Sequence, residues 1–143
     1  MALVLVAAGI VSLLAGCGGP KSIAGNSPQA TARGFVDAMA AGDYDLAATG
    51  FDYEQYARGA NPDWDTFAPQ QRKEIVEKLQ EQKASELQAL SGMLAEGAQV
   101  GAAQTQGTRA TVPITAGATT VQLHMIQQDG QWYIQRIQEG AGG

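Results

Sequence analysis

The amino-acid sequence predicts an α+β domain in which N-terminal helices pack on a four-stranded antiparallel sheet. Apolar residues recur at helical spacing in the earlier part of the chain, and beyond Gly97 they alternate with polar residues at the period of a strand. Short Gly-bearing turns divide that second part into strands. With 45% hydrophobic and 16% charged residues, the composition is that of one globular domain, which we expect to span residues 27–138.

The first helix is predicted to run from Pro28 to about Ala41. The hydroxyl of Ser27 can accept a hydrogen bond from a free amide of the first turn, and a proline at the first helical position has its backbone angle already set. Phe35 and Met39 lie one turn apart and give the helix an apolar face. We therefore expect this helix to pack on the sheet.

Two further helices are predicted, separated by an irregular stretch. A short helix runs from Tyr44 to about Thr49, and residues 52–66 are expected to form loops and turns because Asn61-Pro62 interrupts any period. The longest helix is predicted from Pro69 to about Leu94. Its apolar stripe also fits a short coiled-coil seam, but a charge within the stripe favours packing on the domain core. The stripe consists of Val76, Leu79, Leu87, Leu90 and Leu94, interrupted at Lys83.

Four antiparallel strands are predicted at residues 98–105, 108–115, 119–128 and 131–138. The Asp129-Gly130 pair favours a two-residue turn in which both positions have positive backbone angles. That turn sets the register of the last hairpin. Counting outward from it pairs Met125 with Ile134, Gln127 with Trp132, and Leu123 with Arg136.

The predicted register divides the side chains of the last two strands between two faces. The first face should meet the helices and carries Val121, Leu123, Met125, Trp132 and Ile134. The second is a candidate contact face and carries His124, Ile126, Tyr133, Gln135 and Ile137. Apolar side chains on a nominally exposed face are typical of a contact surface, but single surface hydrophobics are equally ordinary, so both interpretations stay open.

The N-terminus carries a predicted signal peptide. Residues 1–15 are almost uniformly apolar and uncharged, too short for a membrane-spanning helix of about 20 residues but suited to a signal-peptide core. The run ends in Leu14, Ala15, Gly16 and Cys17, which resemble a bacterial lipobox, the motif in which the cysteine sulfur receives a diacylglyceryl group and the chain is cut before it. The usual basic residue near Met1 is missing. The alternative, a buried helix with an incidental cysteine, predicts a periodicity that this run lacks.

This motif predicts that residues 1–16 are removed and that Cys17 is a membrane anchor. Because Cys17 is the only cysteine, it cannot form an intramolecular disulfide. Small, turn-forming residues predict a flexible tether over residues 17–26, and residues 139–143 a flexible tail. The domain would then lie outside the cytoplasm, on a bacterial cell membrane or outer membrane.

Two segments carry a resemblance to a known family. Residues 27–48 read SPQATARGFVDAMAAGDYDLAA, and residues 129–137 read DGQWYIQRI. Through Phe35, the turn at 41–44 and the Trp132-x-Ile134 ending, residues 27–138 resemble the nuclear transport factor 2-like superfamily of cystatin-like cones, and in particular its small bacterial lipoproteins of unknown function. The resemblance implies a cone of helices and sheet. The superfamily includes isomerases, dehydratases, polyketide cyclases and non-catalytic binders, and its open sheet face often mediates dimers.

Few residues offer chemistry. His124 is the only histidine, and strand alternation places it away from the expected cone interior, so we expect a solvated or interface residue rather than a general base. Asp37, Tyr44 and Tyr53 are candidates for a cavity mouth. No catalytic residue, metal site or cofactor is predicted. A net charge of -5 with interspersed cations argues against nucleic-acid binding.

These observations favour a membrane-anchored envelope lipoprotein that acts as a non-catalytic binding or structural module. The alternative is a small-molecule enzyme or carrier that uses the cone cavity. The expected partners are the membrane through lipidated Cys17, a second copy of the chain through the candidate contact face, and an unidentified envelope protein or small ligand.

Overall fold

The computed structural model of the chain describes residues 22–92, 94 and 97–140. The predicted signal peptide, the lipobox and Cys17 lie outside this range. The helices are α1 (Pro28–Ala40), α2 (Tyr44–Ala48), α3 (Tyr53–Ala60) and α4 (Pro69–Leu90), with a short 3-10 turn at Trp64–Thr66. The strands are β1 (Gln99–Val100), β2 (Gln104–Gln106), β3 (Arg109–Ala116), β4 (Thr119–Gln128) and β5 (Gln131–Glu139).

The predicted α+β class is confirmed, with helices first and an antiparallel sheet second. The sheet has five strands rather than four, in the order β1-β3-β4-β5 with β2 also on β3. Because its two outer strands do not pair with each other, the sheet is open rather than closed. Helix α1 packs on one face of it, and α4 packs on α2 and α3.

Helix α1 begins as predicted. The Ser27 hydroxyl accepts a hydrogen bond from the Ala30 amide at 3.1 Å, and Pro28 occupies the first turn. Phe35 and Met39 are both buried against the sheet. The cap and the apolar face therefore act together to place this helix over the core.

Helix α3 replaces the loop predicted within residues 52–66. Asp52 caps it by accepting a hydrogen bond from the Gln55 amide at 3.3 Å, and Arg58 reaches Glu54 at 3.0 Å one turn away. The buried residues of α3 are Tyr53 and Ala57. The prediction missed the helix because two buried residues make a weak apolar stripe, whereas the cap and the ion pair are polar signals.

Helix α4 ends at Leu90, before the predicted end at Leu94, although Leu94 itself is buried. Leu87 is fully buried, and Val76 and Leu79 pack partly against the core, as the stripe predicts. Lys83, which interrupts the stripe, lies with its Nζ 5.1 Å from the ring centre of Phe51. A long aliphatic stem and a cation over an aromatic ring make this charge compatible with the stripe.

The strand predicted at residues 98–105 is split into β1 and β2. Both pair with β3, but Val100 lies opposite Ile114 and Gln104 opposite Thr111, so one extra residue separates the two pairings. The break falls at Pro113, whose nitrogen has no hydrogen to donate to the neighbouring strand. Gly101 donates to the Pro113 carbonyl at 2.8 Å, and a Cβ on Gly101 would approach the proline Cγ to 2.7 Å.

The register of the last hairpin is confirmed near the turn and wrong beyond it. Met125 pairs with Ile134 and Gln127 with Trp132 as predicted. The register then shifts between His124 and Met125, so that Leu123 pairs with Ile137 instead of Arg136. One extra residue of β5 is therefore left without an opposite partner, which reverses the faces of the residues that follow it.

Residues 22–26 belong to the folded domain, contrary to the predicted flexible tether. Ile23 donates its amide to Thr49 Oγ1 at 3.0 Å, and its side chain packs against the core. Gly25 forms a bridge with Trp132, and the buried Thr31 hydroxyl accepts from the Gly25 amide at 2.9 Å. These contacts dock the segment on the edge of β5, where its backbone groups find partners. At the C-terminus, Glu139, which was predicted to begin the flexible tail, is the last residue of β5.

Candidate functional site

The sheet has one face covered by α1 and one face on which no described helix makes extensive contacts. We call the second the open face. Residues paired across antiparallel strands share a face, so the register defines it row by row. The rows that span β3, β4 and β5 are Arg109, Ile126 and Tyr133; Thr111, His124 and Arg136; and Pro113, Gln122 and Gln138.

The structure brings His124, Ile126 and Tyr133 of the candidate contact face together on the open face. It does not place Gln135 and Ile137 there. Ile137 pairs with Leu123 and packs partly against the core, and Gln135 reaches α3, where its Nε2 donates to Gln55 Oε1 at 2.8 Å. The cause is the extra residue in β5, which moves both side chains off the predicted face.

The hydrogen bonds between described side chains of the open face involve no carboxylate. His124 Nε2 lies 3.0 Å from the Gln138 side-chain oxygen, and the Tyr133 hydroxyl donates to Gln131 at 3.1 Å. A histidine that acts as general base is commonly oriented by a carboxylate, and here the partner within the described residues is an amide.

Charge is distributed unevenly between the open face and the helices. The open face carries Arg109 and Arg136, both exposed, and neither makes a salt bridge within the described part of the chain. Among the described strand residues, Glu139 is the single carboxylate, and its pairing with Val121 puts it in register with the core face. Helices α3 and α4 carry as many cations as carboxylates, namely Arg58, Arg72, Lys73, Lys78 and Lys83 beside Glu54, Glu74, Glu77, Glu81 and Glu86.

The three candidates for a cavity mouth lie in separate places. Asp37 borders a shallow depression with Arg33 and the β1 segment, whereas Tyr44 borders another with Glu81 of α4. Tyr53 lines a third, between α3 and α4. The expected cone interior is filled instead by core side chains. Phe35, Met125 and Trp132 there are exposed by no more than 4%.

The depression between α3 and α4 has a volume of about 200 Å³. Lys83 crosses it and pairs with Glu86 at 2.7 Å. Burial, reinforced by the charge of Glu86, raises the pKa of the Tyr53 hydroxyl above its ordinary value, and this hydroxyl donates to the Ala48 carbonyl. Tyr53 therefore keeps its proton at neutral pH. The lining residues are Phe51, Asp52, Tyr53, Tyr56, Leu79, Gln82, Lys83, Glu86 and Gln135.

Sequence reasoning missed this depression. Lys83 and Glu86 lie on α4, but the opposite wall is formed by the unpredicted helix α3 and its cap Asp52, and Gln135 reaches the depression through the irregularity of β5. One signal was present in the sequence, since Lys83 occupies an apolar position of α4 and Glu86 follows at helical spacing.

Two further observations concern metals and membranes. Within residues 22–92, 94 and 97–140, no three or more histidine, cysteine, aspartate or glutamate side chains cluster in a way that would hold a metal ion. In the same part of the chain, none of the helices combines the length and the apolar character needed to cross a bilayer.

Comparison with known proteins identifies a family. The family model for the N-terminal domain of lipoprotein LpqB matches residues 21–142, a range that includes every residue the structure describes. Neither a curated protein nor a solved structure matches the chain. The match supports a bacterial lipoprotein domain that includes the docked segment at residues 22–26 as well as the helices and the sheet.

Proposed function

Since the chain belongs to the lipoprotein LpqB N-terminal domain family, we propose that it is a lipid-anchored protein of the bacterial envelope and that its domain is a non-catalytic binding or structural module. In this proposal Leu14, Ala15 and Gly16 form the lipobox, residues 1–16 are removed and Cys17 carries the acyl chains. The domain then lies outside the cytoplasm, at the cell membrane or the outer membrane.

The observation that carries the non-catalytic assignment is the scatter of chemistry-bearing side chains. Asp37, Tyr44 and Tyr53 line different depressions, and the space that a cone cavity would occupy holds Phe35 and Met125. An enzyme needs at least two groups that converge on one reacting atom within hydrogen-bond reach. The predicted cavity mouth offers no such arrangement, which supports a binding or structural role.

The nuclear transport factor 2-like assignment is part of the same proposal. Its support is the order of elements, with helices before an antiparallel meander, and a helix that packs on one face of an open sheet. Fold alone does not specify an activity, so this assignment and the non-catalytic role are tested separately.

Radiolabelled palmitate tests the anchor. We expect the wild-type chain to incorporate label and to partition with membranes, and Cys17→Ala to do neither and to keep its first 16 residues. Ser12→Ala is the matched control, because it changes the apolar run but not the lipobox. An unlabelled, freely soluble wild-type chain would refute the proposal.

A second candidate function is a small-molecule enzyme or carrier, favoured by the depression between α3 and α4. It combines a cation and two carboxylates, on Lys83, Asp52 and Glu86, with aromatic walls. Its volume of about 200 Å³ is below the roughly 300–1,000 Å³ of most small-molecule sites. A ligand whose affinity falls at least tenfold in Lys83→Met, but not in Lys73→Met on the exposed side of α4, would favour this function.

Association of two copies through the open face remains a prediction. A two-fold interface brings identical patches together, so Arg109 and Arg136 of both copies would lie within the same interface. Sedimentation velocity over a wide concentration range tests it. A chain that stays monomeric throughout would contradict the homodimer.

A further inference from the structure

The docked N-terminal segment limits how far the domain can lie from a lipid-modified Cys17. Ser22 and Ile23 are held against Thr49, through the Ser22 hydroxyl at 3.4 Å and the Ile23 amide at 3.0 Å. Cys17 precedes Ser22 by five positions. At about 3.5 Å per residue, a fully extended chain of that length spans roughly 17 Å. An acylated Cys17 would therefore hold this point of the domain close to the lipid headgroups.

The segment enters the domain beside the open face. Ser22 borders a depression that is also lined by Gln128, Asp129 and Tyr133, at the end of the sheet where the β4–β5 turn lies. Tyr133 belongs to an open-face row near this turn, with Ile126 and Arg109. An anchor that holds Ser22 near the lipid therefore also holds this end of the open face near it.

The row has the composition of a lipid-contacting surface. Ile126 and Tyr133 are half-buried on the open face, and Arg109 is exposed beside them. Arg136 follows in the next row, opposite His124. Tyrosine and arginine place an apolar body at the interface and a polar tip among headgroups. An anionic surface also attracts arginines that have no carboxylate beside them.

The rest of the molecule disfavours other orientations on an anionic surface. Helices α3 and α4 carry equal numbers of glutamates and cations, and Arg58, Lys73 and Lys83 each pair with a glutamate, so the helical side has no net charge to attract lipid phosphates. The depression next to Ser22 contains Asp52, Glu54 and Asp129, so contact through that end alone would also be repelled. Contact along the open face brings close to the lipid two arginines that have no salt-bridge partner in the described part of the chain.

We propose that the open face lies flat against the anionic phospholipid surface to which Cys17 is anchored, with Arg109 and Arg136 at the headgroups and Ile126 and Tyr133 at the interface. This inference rests on the proposed lipidation of Cys17. Two arginines bind such a surface weakly on their own, but the anchor makes the contact intramolecular and supplies a high effective concentration.

The test uses the acylated chain in vesicles that contain equal amounts of phosphatidylglycerol and phosphatidylcholine. Because Cys17 is the only cysteine and its sulfur is acylated, an introduced cysteine is the one free thiol. A fluorophore is placed at Gln104→Cys, which pairs with Thr111 of the open face, or at Gln88→Cys on the exposed side of α4. Quenching by a lipid with a nitroxide headgroup reports which side faces the membrane.

We expect stronger quenching at position 104 than at position 88. Arg109→Gln and Arg136→Gln should each lower the ratio of face-down to other orientations about fivefold, because an arginine near an anionic surface contributes about 1 kcal/mol. Arg33→Gln, on the exposed side of α1, is the matched control and should leave the ratio unchanged. Phosphatidylcholine vesicles and high salt should abolish the preference.

Equal quenching at the two positions, or a preference that does not depend on the arginines, would overturn the orientation. Energy transfer between probes at position 104 of different copies, at low surface density, would overturn it as well, by showing that a second copy covers the open face. A chain that carries no acyl group refutes the proposed function instead, so the two failures are distinguishable.

Discussion

The two faces of the sheet differ in burial although they share the same strands and backbone hydrogen bonds. Val112 and Leu123 on the core face are 0% exposed, whereas Thr111 and Gln122 next to them in the chain are only half-buried. Strand pairing therefore does not explain why the two faces differ in burial. Contact with α1 explains it, and this contact should concentrate the stability of the domain on the core face and leave the open face free for binding.

The largest difference is expected between Trp132 and its neighbour Tyr133, which point to opposite faces. Trp132 is 4% exposed, and truncation of a buried tryptophan costs about 3–5 kcal/mol. We expect Trp132→Ala to lower the free energy of unfolding by that amount, and Tyr133→Ala to lower it by about 1 kcal/mol or less. Urea denaturation measures both values. Equal losses would mean that the two faces are not distinct.

Two threonines sharpen the comparison for polar groups. The Thr31 hydroxyl is fully buried, donates to the Trp132 carbonyl at 3.0 Å and accepts from the Gly25 amide. Thr31→Val leaves these groups without a partner and should cost about 1–3 kcal/mol. Thr111→Val, on the open face, should change stability by no more than about 0.5 kcal/mol. The midpoint of urea unfolding measures the stability of both variants. A Thr31→Val variant as stable as the wild type would show that the Thr31 hydroxyl does not hold residues 22–26.

Two isoleucines test the irregularity in β5. Ile137 packs partly on the core because the register shift turns it there, and Ile126 stays on the open face. We expect Ile137→Ala to cost about 1–2 kcal/mol, below the range for a fully buried isoleucine, and Ile126→Ala to cost less than about 1 kcal/mol. If Ile126→Ala cost more stability than Ile137→Ala in thermal or urea unfolding, the predicted register without the extra residue in β5 would be correct.

The smallest effect concerns Tyr53, and it depends on pH. Burial first, and Glu86 second, raise the pKa of Tyr53 in the folded state above its ordinary value of 10.0. The folded state therefore holds the Tyr53 proton more tightly than the unfolded state does. The stability that this difference gives the folded state is fully present below pH 10.0 and is lost as pH rises further.

Tyr53→Phe should reduce this alkaline loss of stability and cost about 1 kcal/mol at neutral pH, where the hydrogen bond to Ala48 is lost. Tyr56→Phe is the control, because its side chain is 66% exposed. Urea unfolding at neutral and at strongly alkaline pH measures both variants. An unchanged alkaline profile in Tyr53→Phe would assign the loss to another group.

The parts of the fold that were predicted correctly carry their signals in adjacent residues. Ser27-Pro28 starts α1, and the turn at Asp129-Gly130 has positive backbone angles of 52° and 77°. The missed parts have signals that are weak or distant. The spacing of Trp132, Ile134 and Ile137 does contain the extra residue of β5, since strict alternation would put the third apolar residue at position 136.

The candidate site was predicted less completely than the fold. Strand alternation is local, so His124, Ile126 and Tyr133 were correctly placed on one face. The cationic character of that face depends on Arg109 and Arg136, which come from different strands and share a face only through the register. The depression at Lys83 and Glu86 depends on the approach of α3 to α4, which no local pattern specifies.

By itself the amino-acid sequence determined the division into helices and sheet, the cap of α1 and the last hairpin turn, because each depends on backbone preferences within a few residues. Tertiary structure decided the docking of residues 22–26 on β5, the break of the first strand opposite Pro113, and the approach of α3 to α4. Each of these requires contact between residues far apart in the chain, and such contacts exist only after the core has formed.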